Sequence, residues 1–324
     1  MSLLIGVDVG GTNLRLGVVE YRVQNDTVRL LEEMRFHADF SGLCKSHPHA
    51  PEQAWQAILT TIAAAIESVR NKYPDISSIG IGFPGFIDPN TQKISQSPNL
   101  PGLSYVDLSA DLSQLVALPV ITENDALAAA YGEFAANVTK SRNMLYLGLG
   151  TGVGGGLILN GQPFQGQHGV AMEVGHIIVR PQSLHADARP CGCGNYGCME
   201  QYASASGVAI SYAKLTGKQY TAHEIAIHAK AGDSAAIEAY CLAGSSLAQA
   251  LAHILKVIDV TDVVIGGGMS AGWVHMAKAF QVQLEQDLIP TLRGKVNVSI
   301  STMGDQAGII GAAMLAQRKA FKSM

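Results

Sequence analysis

Two stretches of this chain repeat one device, and that repeat limits the folds open to it. Leu4 to Val9 has an apolar strand pattern, broken by Gly10-Gly11-Thr12-Asn13 and resumed from Leu14 to Glu20. Met144 to Gly148 is again strand-like, followed by Gly150-Thr151-Gly152-Val153-Gly154-Gly155-Gly156 and a strand from Leu157 to Leu159 that Asn160-Gly161 closes. Apolar runs separated by small turn residues read as hairpins. Their recurrence at about 140 residues, Gly10 against Gly150, predicts two related α/β lobes facing each other, each aiming a glycine turn into the cleft.

Gly150-Thr151-Gly152-Val153-Gly154-Gly155 satisfies the G-x-G-x-x-G spacing, but strand-like Gly156 to Leu159 follows where a dinucleotide site needs a helix. A Rossmann reading is therefore excluded. Neither Gly217-Lys218 nor Gly294-Lys295 continues into Ser or Thr, so a Walker A loop is absent as well. What remains is a pair of hairpin turns in which small residues let backbone N–H groups and the Thr12 or Thr151 hydroxyl approach an anion. Without an anion, they read as tight hairpins whose glycines supply positive φ. A third cluster, Gly266-Gly267-Gly268, ends the apolar strand Val263-Val264-Ile265.

Three of the five cysteines, Cys191, Cys193 and Cys198, lie within eight residues, and His176 stands fifteen positions before the first of them. Glycines between the thiols let the backbone turn sharply enough to aim successive sulfurs at one point, and a Cys3His set fills all four positions of a tetrahedral Zn2+. A site closed in this way is structural. Chance clustering or a redox pair is the alternative. Cys44 and Cys241 read as ordinary buried thiols.

A chain of 324 residues has room for two domains, each with its own core. A net charge of -4 without runs of like charge offers no footprint for nucleic acid or an anionic membrane, so the expected partner is a small molecule. No apolar run reaches the length of a membrane span, and Leu3 to Val7 enters a strand directly, without a secretory leader pattern. Cysteines grouped as metal ligands suit a reducing cytoplasm better than a disulfide framework does.

Trp55, Ile58, Leu59, Ile62, Ala65, Ile66 and Val69 recur at helical spacing between Pro51 and Tyr73, ahead of a strand from Ser78 to Phe83 and the turn Pro84-Gly85. Pro119 to Thr122 predicts a short strand leading through Glu123-Asn124-Asp125 into an Ala-rich helix, Ala126 to Asn137. Asp125 therefore stands at a helix start, where a carboxylate can stabilise the helix or act as a base. Further helices are expected over Ala235 to Val257 and Gly308 to Lys319.

Asp8-Val9-Gly10-Gly11-Thr12-Asn13, Glu123-Asn124-Asp125-Ala126, Leu149 through Gly156, Glu173-Val174-Gly175-His176 and the cysteine motif, in this order, resemble the ROK family of sugar kinases over nearly the whole chain. The resemblance implies a two-lobed α/β chain of the actin-like, hexokinase-like ATPase fold: ribonuclease H-like lobes, a central cleft and a small zinc-binding loop. It implies ATP, catalytic Mg2+, a hexose, and structural Zn2+ held by His176, Cys191, Cys193 and Cys198. Asp125 falls on the family's general base. Asp8, Gly10, Gly11, Thr12 and Asn13, with Gly150, Thr151, Gly152, Gly154 and Gly155, fall on the motifs facing the phosphates and Mg2+. Gly267 and Gly268 fall on the adenosine-facing turn, and Gly85, Asn99, Asn124, Asp125, Glu173, His176 and Glu200 on the sugar side.

Several of these residues have a plainer reading. Asp8 could bond neighbouring backbone, Asn99 could form an Asx-turn between prolines, Gly267 and Gly268 could merely end a strand, and Glu200 could form a surface salt bridge. The activity implied is ATP-dependent phosphorylation of a hexose 6-hydroxyl, with glucose first. Kinases of N-acetylglucosamine, N-acetylmannosamine, allose and fructose share the motifs. A sugar-sensing regulator without turnover is the non-enzymatic alternative; family repressors carry an N-terminal helix-turn-helix domain, for which this start leaves no room. The lobes are expected at residues 1–122, completed by about 305–324, and 123–304 with the zinc loop. Such kinases are often dimers, so a homodimer is expected.

Overall fold

In a computed structural model, which describes residues 1–98, 100–136 and 141–322, the chain opens as a meander. β1 (Ser2–Val9), β2 (Asn13–Arg22) and β3 (Thr27–His37) pair antiparallel, with Asp8 opposite Arg15. α1 (Phe40–Ser46) leads to α2 (Pro51–Lys72), where Pro51 occupies the first turn at no cost in hydrogen bonds. α2 buries Trp55, Ile58, Leu59, Ile62, Ile66 and Val69 on one face. β4 (Ile76–Phe83) then runs parallel to β1, setting Gly80 beside Gly6. A short ribbon, β5 (Phe86–Ile87) and β6 (Ile94–Gln96), precedes α3 (Leu108–Val116), β7 (Val120–Asn124) parallel to β4, and α4 (Asp125–Ala136). The sheet order is β3-β2-β1-β4-β7.

The same plan recurs with β8 (Met144–Leu149), β9 (Val153–Leu159), β10 (Gln162–Pro163), α5 (Glu200–Ala203), α6 (Ala205–Thr216), α7 (Ala222–Lys230), α8 (Ser234–Ile258), β11 (Asp262–Gly266), α9 (Trp273–Asp287) and β12 (Asn297–Ile300). α10 (Gln306–Lys322) follows. The second sheet is β10-β9-β8-β11-β12, with β11 parallel to both β8 and β12. Counted along the chain, each five-stranded sheet runs third, second, first, fourth, fifth. This common order gives the duplication a topological basis that the sequence betrays only at its two glycine turns. Against the expectation that no apolar run reaches membrane length, α8 is long and apolar enough to cross a membrane, but 56% of its most apolar window is buried within the chain, as in a core helix.

By contacts the chain forms two compact units, Met1–Arg142 with Gly156–Ala171 and Asp305–Met324, and Asn143–Gly155 with Met172–Gly304. The first division falls after Arg142 rather than at 122 because α4 packs along α10. β9 starts at Val153, so Gly154, Gly155 and Gly156 are strand residues and the turn is confined to residues 150–152. Asn137, expected to end α4, lies outside the described residues.

α10 is fastened to the first sheet by backbone. A Cβ added to Gly6 would lie 1.8 Å from Ile309 O, and one on Gly80 1.7 Å from Ala312 O. On its other side, a Cβ on Gly311 would lie 1.7 Å from Ala128 O, and one on Gly132 1.9 Å from Ala307 O. Helix, strands and helix therefore meet main chain to main chain, and no rotamer change can make room. Overpacking a core costs about 1–3 kcal/mol where side chains can shift. Gly80→Ala, which meets a carbonyl instead, should lower the free energy of unfolding by more than about 2 kcal/mol in a denaturant titration. A loss below about 0.5 kcal/mol, the range of neutral surface changes, would show that α10 does not sit on β4 in this way.

Candidate active site and metal centre

β1 passes to β2 through Gly10 to Thr12, closed by the Gly10 N–H donating to Asn13 O at 2.8 Å. Asn13 is already the first residue of β2. Gly11 O accepts from Ser41 N–H at 3.0 Å, and Thr12 O from Ala38 N–H at 3.3 Å. Neither glycine has positive φ, and a Cβ on Gly11 would meet nothing nearer than Ser41 Cβ at 3.8 Å. Hairpin geometry thus does not demand glycine at 11. Asp8, two residues before the turn, accepts from Arg15 Nη2 at 2.7 Å, and Arg15 also pairs with Asp305. Burial raises the Asp8 carboxyl above its ordinary range, against the pull of Arg15.

β7 delivers Glu123, Asn124 and Asp125 to the start of α4. Asn124 is the cap: its Oδ1 accepts from Leu127 N–H at 3.0 Å, and its Nδ2 donates to Gly85 O at 3.2 Å. Asp125 is the first helical residue, its Oδ1 accepting from Ala126 N–H at 2.9 Å. Glu123 is buried; its Oε1 accepts from Asn124 N–H at 2.9 Å and its Oε2 from Gln165 Nε2 at 2.6 Å. Burial pushes the Glu123 carboxyl up to about 7, against the Asn124 and Gln165 hydrogen bonds and the Lys319 ammonium. Burial in turn holds Lys319 below its usual value. A Cβ on Gly85 would lie 2.8 Å from Gln96 O, so packing alone accounts for that glycine. Asn99 lies outside the described residues.

The second unit carries the other turn. Gly150 N–H donates to Gly152 O at 2.9 Å, and neither residue has positive φ. A Cβ on Gly150 would meet nothing closer than 4.0 Å, whereas one on Gly155 would lie 2.7 Å from Met172 O. Gly155 is therefore explained by packing inside the unit, and Gly150 is not. After β11, Gly267 takes φ +81, and a Cβ added there would lie only 2.3 Å from Leu149 O, while nothing stands within 4 Å of one on Gly268. Two adjoining hollows share Ala205, Thr221 and Ala222; one reaches Thr151 and Ser206, the other Gly268 and His275.

Glu173 and His176 bracket a single 3-10 turn, Val174–His176, which brings His176 Nε2 to 3.7 Å from Glu173 Oε2. Burial raises the Glu173 carboxyl; His176 opposes that shift and Glu200 adds to it. The other ring nitrogen, Nδ1, lies 3.5 Å from Cys191 Sγ, and Cys193 Sγ lies 3.6 Å from Cys198 Sγ. The four candidate ligand atoms are all within 4.8 Å of one another. A tetrahedral zinc with Zn–S near 2.3 Å and Zn–N near 2.0 Å separates its ligands by about 3.5–3.8 Å, so this group fits the ion.

Arg189, missed in the sequence, anchors the same loop. Its guanidinium donates to Gln201 O, to Gly207 O at 3.0 Å and to Ser211 Oγ at 3.0 Å, and lies 4.4 Å from the Tyr202 ring centroid. Carbonyl dipoles and a π face thus support a cation that is only 6% exposed. Glu123 and Gln165 were also missed. Glu123 is visible within Glu123-Asn124-Asp125, but nothing local announces its burial.

The ROK family profile matches residues 4–319. A glucokinase from Halalkalibacterium halodurans is 30% identical over 334 residues, covering 97% of this chain and 95% of that protein. An N-acetyl-D-glucosamine kinase from Salmonella typhimurium is 32% identical over 320 residues, covering 96% and 98%. Among solved structures, a ROK family glucokinase from Streptomyces griseus in complex with glucose and AMPPNP superposes with TM-score 0.78 at 28% identity, covering 98% of this chain and 100% of that one. A ROK hexokinase from Thermus thermophilus gives 0.79 at 26% identity, covering 99% of each. With the glycine turns, the Glu123-Asn124-Asp125 corner and the Cys3His group in place, the chain belongs to the ROK family, among its ATP-dependent sugar kinases.

Proposed function

We propose that this kinase transfers the γ-phosphoryl group of ATP to the 6-hydroxyl of a hexose, glucose first, with Asp125 as general base. The arrangement at the start of α4 carries this reading. Asn124 supplies the cap to Leu127, and Asp125 follows as the first helical residue, its Oδ1 on Ala126 N–H, so its carboxylate is held at a fixed helix start. Phosphoryl transfer asks little covalent help of a protein. It needs the phosphates held, their charge neutralised, and the acceptor oxygen aligned and relieved of its proton. A carboxylate on the first turn of a helix with a fixed origin meets the last need.

Asn124, Asn99 and Gly85, with Glu173, His176 and Glu200, are assigned to the sugar, Gly85 through its backbone. Gly10, Gly11, Thr12 and Asn13, with Gly150, Thr151 and Gly152, are assigned to the phosphates. The smallness of Gly11 and Gly150, which neither φ nor internal packing requires, supports close approach by an anion. Gly154 and Gly155 contribute only as the opening strand of that turn. Gly267, Gly268 and the hollows beside them suit the adenosine. Asp8 is the carboxylate assigned to hold Mg2+, which, bound with the nucleotide, would neutralise phosphate charge. The S. griseus relative, solved with glucose and AMPPNP, supports glucose. N-acetylglucosamine is the second reading, since kinases of that sugar are equally similar to this chain.

Zinc at His176, Cys191, Cys193 and Cys198 would fix the His176 ring and the loop bearing Glu173 and Glu200. Elemental analysis should find one zinc per chain. Cys193→Ser should lose it and raise the sugar KM about tenfold or more, the usual scale for disturbing the surroundings of a metal site. The ATP KM should change less, because Arg189 holds the neighbouring helices without the metal. Metal-free protein with full activity would remove the zinc from this account.

Asp125→Asn keeps the shape and the contact to Ala126 N–H while removing the base. The thermal midpoint should stay near that of the parent while kcat falls by roughly 10²-fold or more. A kcat within about fivefold of the parent would rule Asp125 out as the base.

A further inference from the structure

Residues 200–206, the corner from α5 into the start of α6, hold the Gly150–Gly152 turn and the first residue of β9 at three points. Glu200 Oε2 accepts from Val153 N–H at 2.9 Å. Ala205 N–H donates to Gly150 O at 2.9 Å, and Ser206 Oγ donates to Thr151 O at 2.9 Å. The Glu200 oxygen lies so close to the turn that a Cβ on Gly152 would stand 2.4 Å from it. On its other side the corner is continuous with the Cys3His loop. Met199 N–H donates to Ile177 O at 2.8 Å, next to His176, and Gln201 N–H to Cys198 O at 3.0 Å.

We infer that Glu200 is a positioning residue for the nucleotide turn as well as a sugar ligand, and that the 200–206 corner couples sugar binding to nucleotide binding. This rests on the assignment of Glu200 to the sugar and of the Gly150–Gly152 turn to the phosphates. A carboxylate engaged by a sugar hydroxyl on one oxygen and by the Val153 amide on the other cannot shift without moving the strand that leaves the turn. The Ala205 and Ser206 bonds carry the same displacement to the carbonyls of Gly150 and Thr151. Orienting those peptides sets where the turn's N–H groups point, and so what phosphate geometry the turn accepts. Because coupling is reciprocal, the nucleotide tightens the sugar by the same factor.

Titration calorimetry tests this with AMPPNP plus Mg2+ and with glucose, or with N-acetyl-D-glucosamine if that is the sugar phosphorylated. Each ligand is titrated alone and in the presence of the other. In the parent protein each ligand should tighten the other at least about fivefold, within the usual range of allosteric coupling. Glu200→Ala should weaken AMPPNP alone by about tenfold, the scale of one lost charge-assisted hydrogen bond, and weaken the sugar as well. Glu200→Gln, whose amide oxygen can still accept from Val153 N–H, should recover most of the AMPPNP affinity but not the sugar affinity. Ser206→Ala touches no assigned sugar ligand; it should leave the affinity for sugar alone unchanged and cut the coupling to less than about half. Should Glu200→Ala fail to fold, Glu200→Gln and Ser206→Ala still decide the matter.

Parent-like AMPPNP binding by Glu200→Ala, or undiminished coupling in Ser206→Ala, would overturn the inference while leaving the sugar assignment standing. Weakened AMPPNP binding with unchanged sugar affinity in Glu200→Ala would instead remove Glu200 from the sugar, and the coupling through it with it.

Discussion

The close contact of α10 with β1, β4 and α4 is the constraint from which the arrangement of the first unit follows. At Gly6, Gly80, Gly132 and Gly311 a carbonyl stands where a Cβ would go, so strands and helices approach at main-chain distance. Many weak dispersion contacts accumulate at such a distance, and the surfaces have no side chains to reorganise. Asp8 lies on β1 two residues beyond Gly6, and Gly308 on α10 approaches its carboxyl, a Cβ there lying 3.5 Å from Asp8 Cγ. Asp125 begins the helix that α10 clamps, and Gly82 brings β4 to within 3.5 Å of the Asp125 Cα, measured from an added Cβ. The base proposed at Asp125 would have to sit where its proton will be to within fractions of an ångström. A joint made of backbone holds such a position better than one made of flexible side chains.

The second unit reaches rigidity by another route. Its loop from Glu173 to Glu200 contains little regular structure, and polar groups hold it in place of a hydrophobic face. Arg189 is buried against carbonyls, a hydroxyl and the Tyr202 ring, and Tyr202 Oη in turn accepts from Arg189 N–H at 3.1 Å. Burial lowers the Arg189 pKa, yet a guanidinium stays charged at any pH where the enzyme works. The Cys3His group closes the other end of the loop. Glu123 is the corresponding polar core of the first unit: a carboxyl held near neutrality by its own burial, touching the amide of Asn124 and the side chain of Gln165.

Features with local signatures were legible in the sequence. The two hairpins, the α2 stripe from Trp55 to Val69 and the Cys-x-Cys-x4-Cys group each depend on spacing within a few residues, and the family resemblance rests on such motifs. β3 was not legible, because Arg29, Glu32, Glu33 and Arg35 interrupt it; an edge strand with one wet face needs no apolar run. Gly154 to Gly156 looked like turn because glycine disfavours strands, but packing of Gly155 against Met172 and Val174 overrides that preference. Nor does any pattern join Gly80 to Ala312, or Glu200 to Val153. Such contacts are set by tertiary geometry across long stretches of chain, as is the division after Arg142 that keeps α4 with α10.

The central claim is that this protein phosphorylates a hexose on its 6-hydroxyl at the expense of ATP. The most direct measurement is ADP release with Mg2+ across glucose, N-acetylglucosamine, N-acetylmannosamine, allose and fructose, with the position of the new phosphate ester read by 31P–1H correlation. The account predicts ADP release that is stoichiometric with a sugar 6-phosphate and a kcat/KM highest for glucose. ADP release unchanged by every sugar, or phosphate on any hydroxyl other than the sixth, would contradict it.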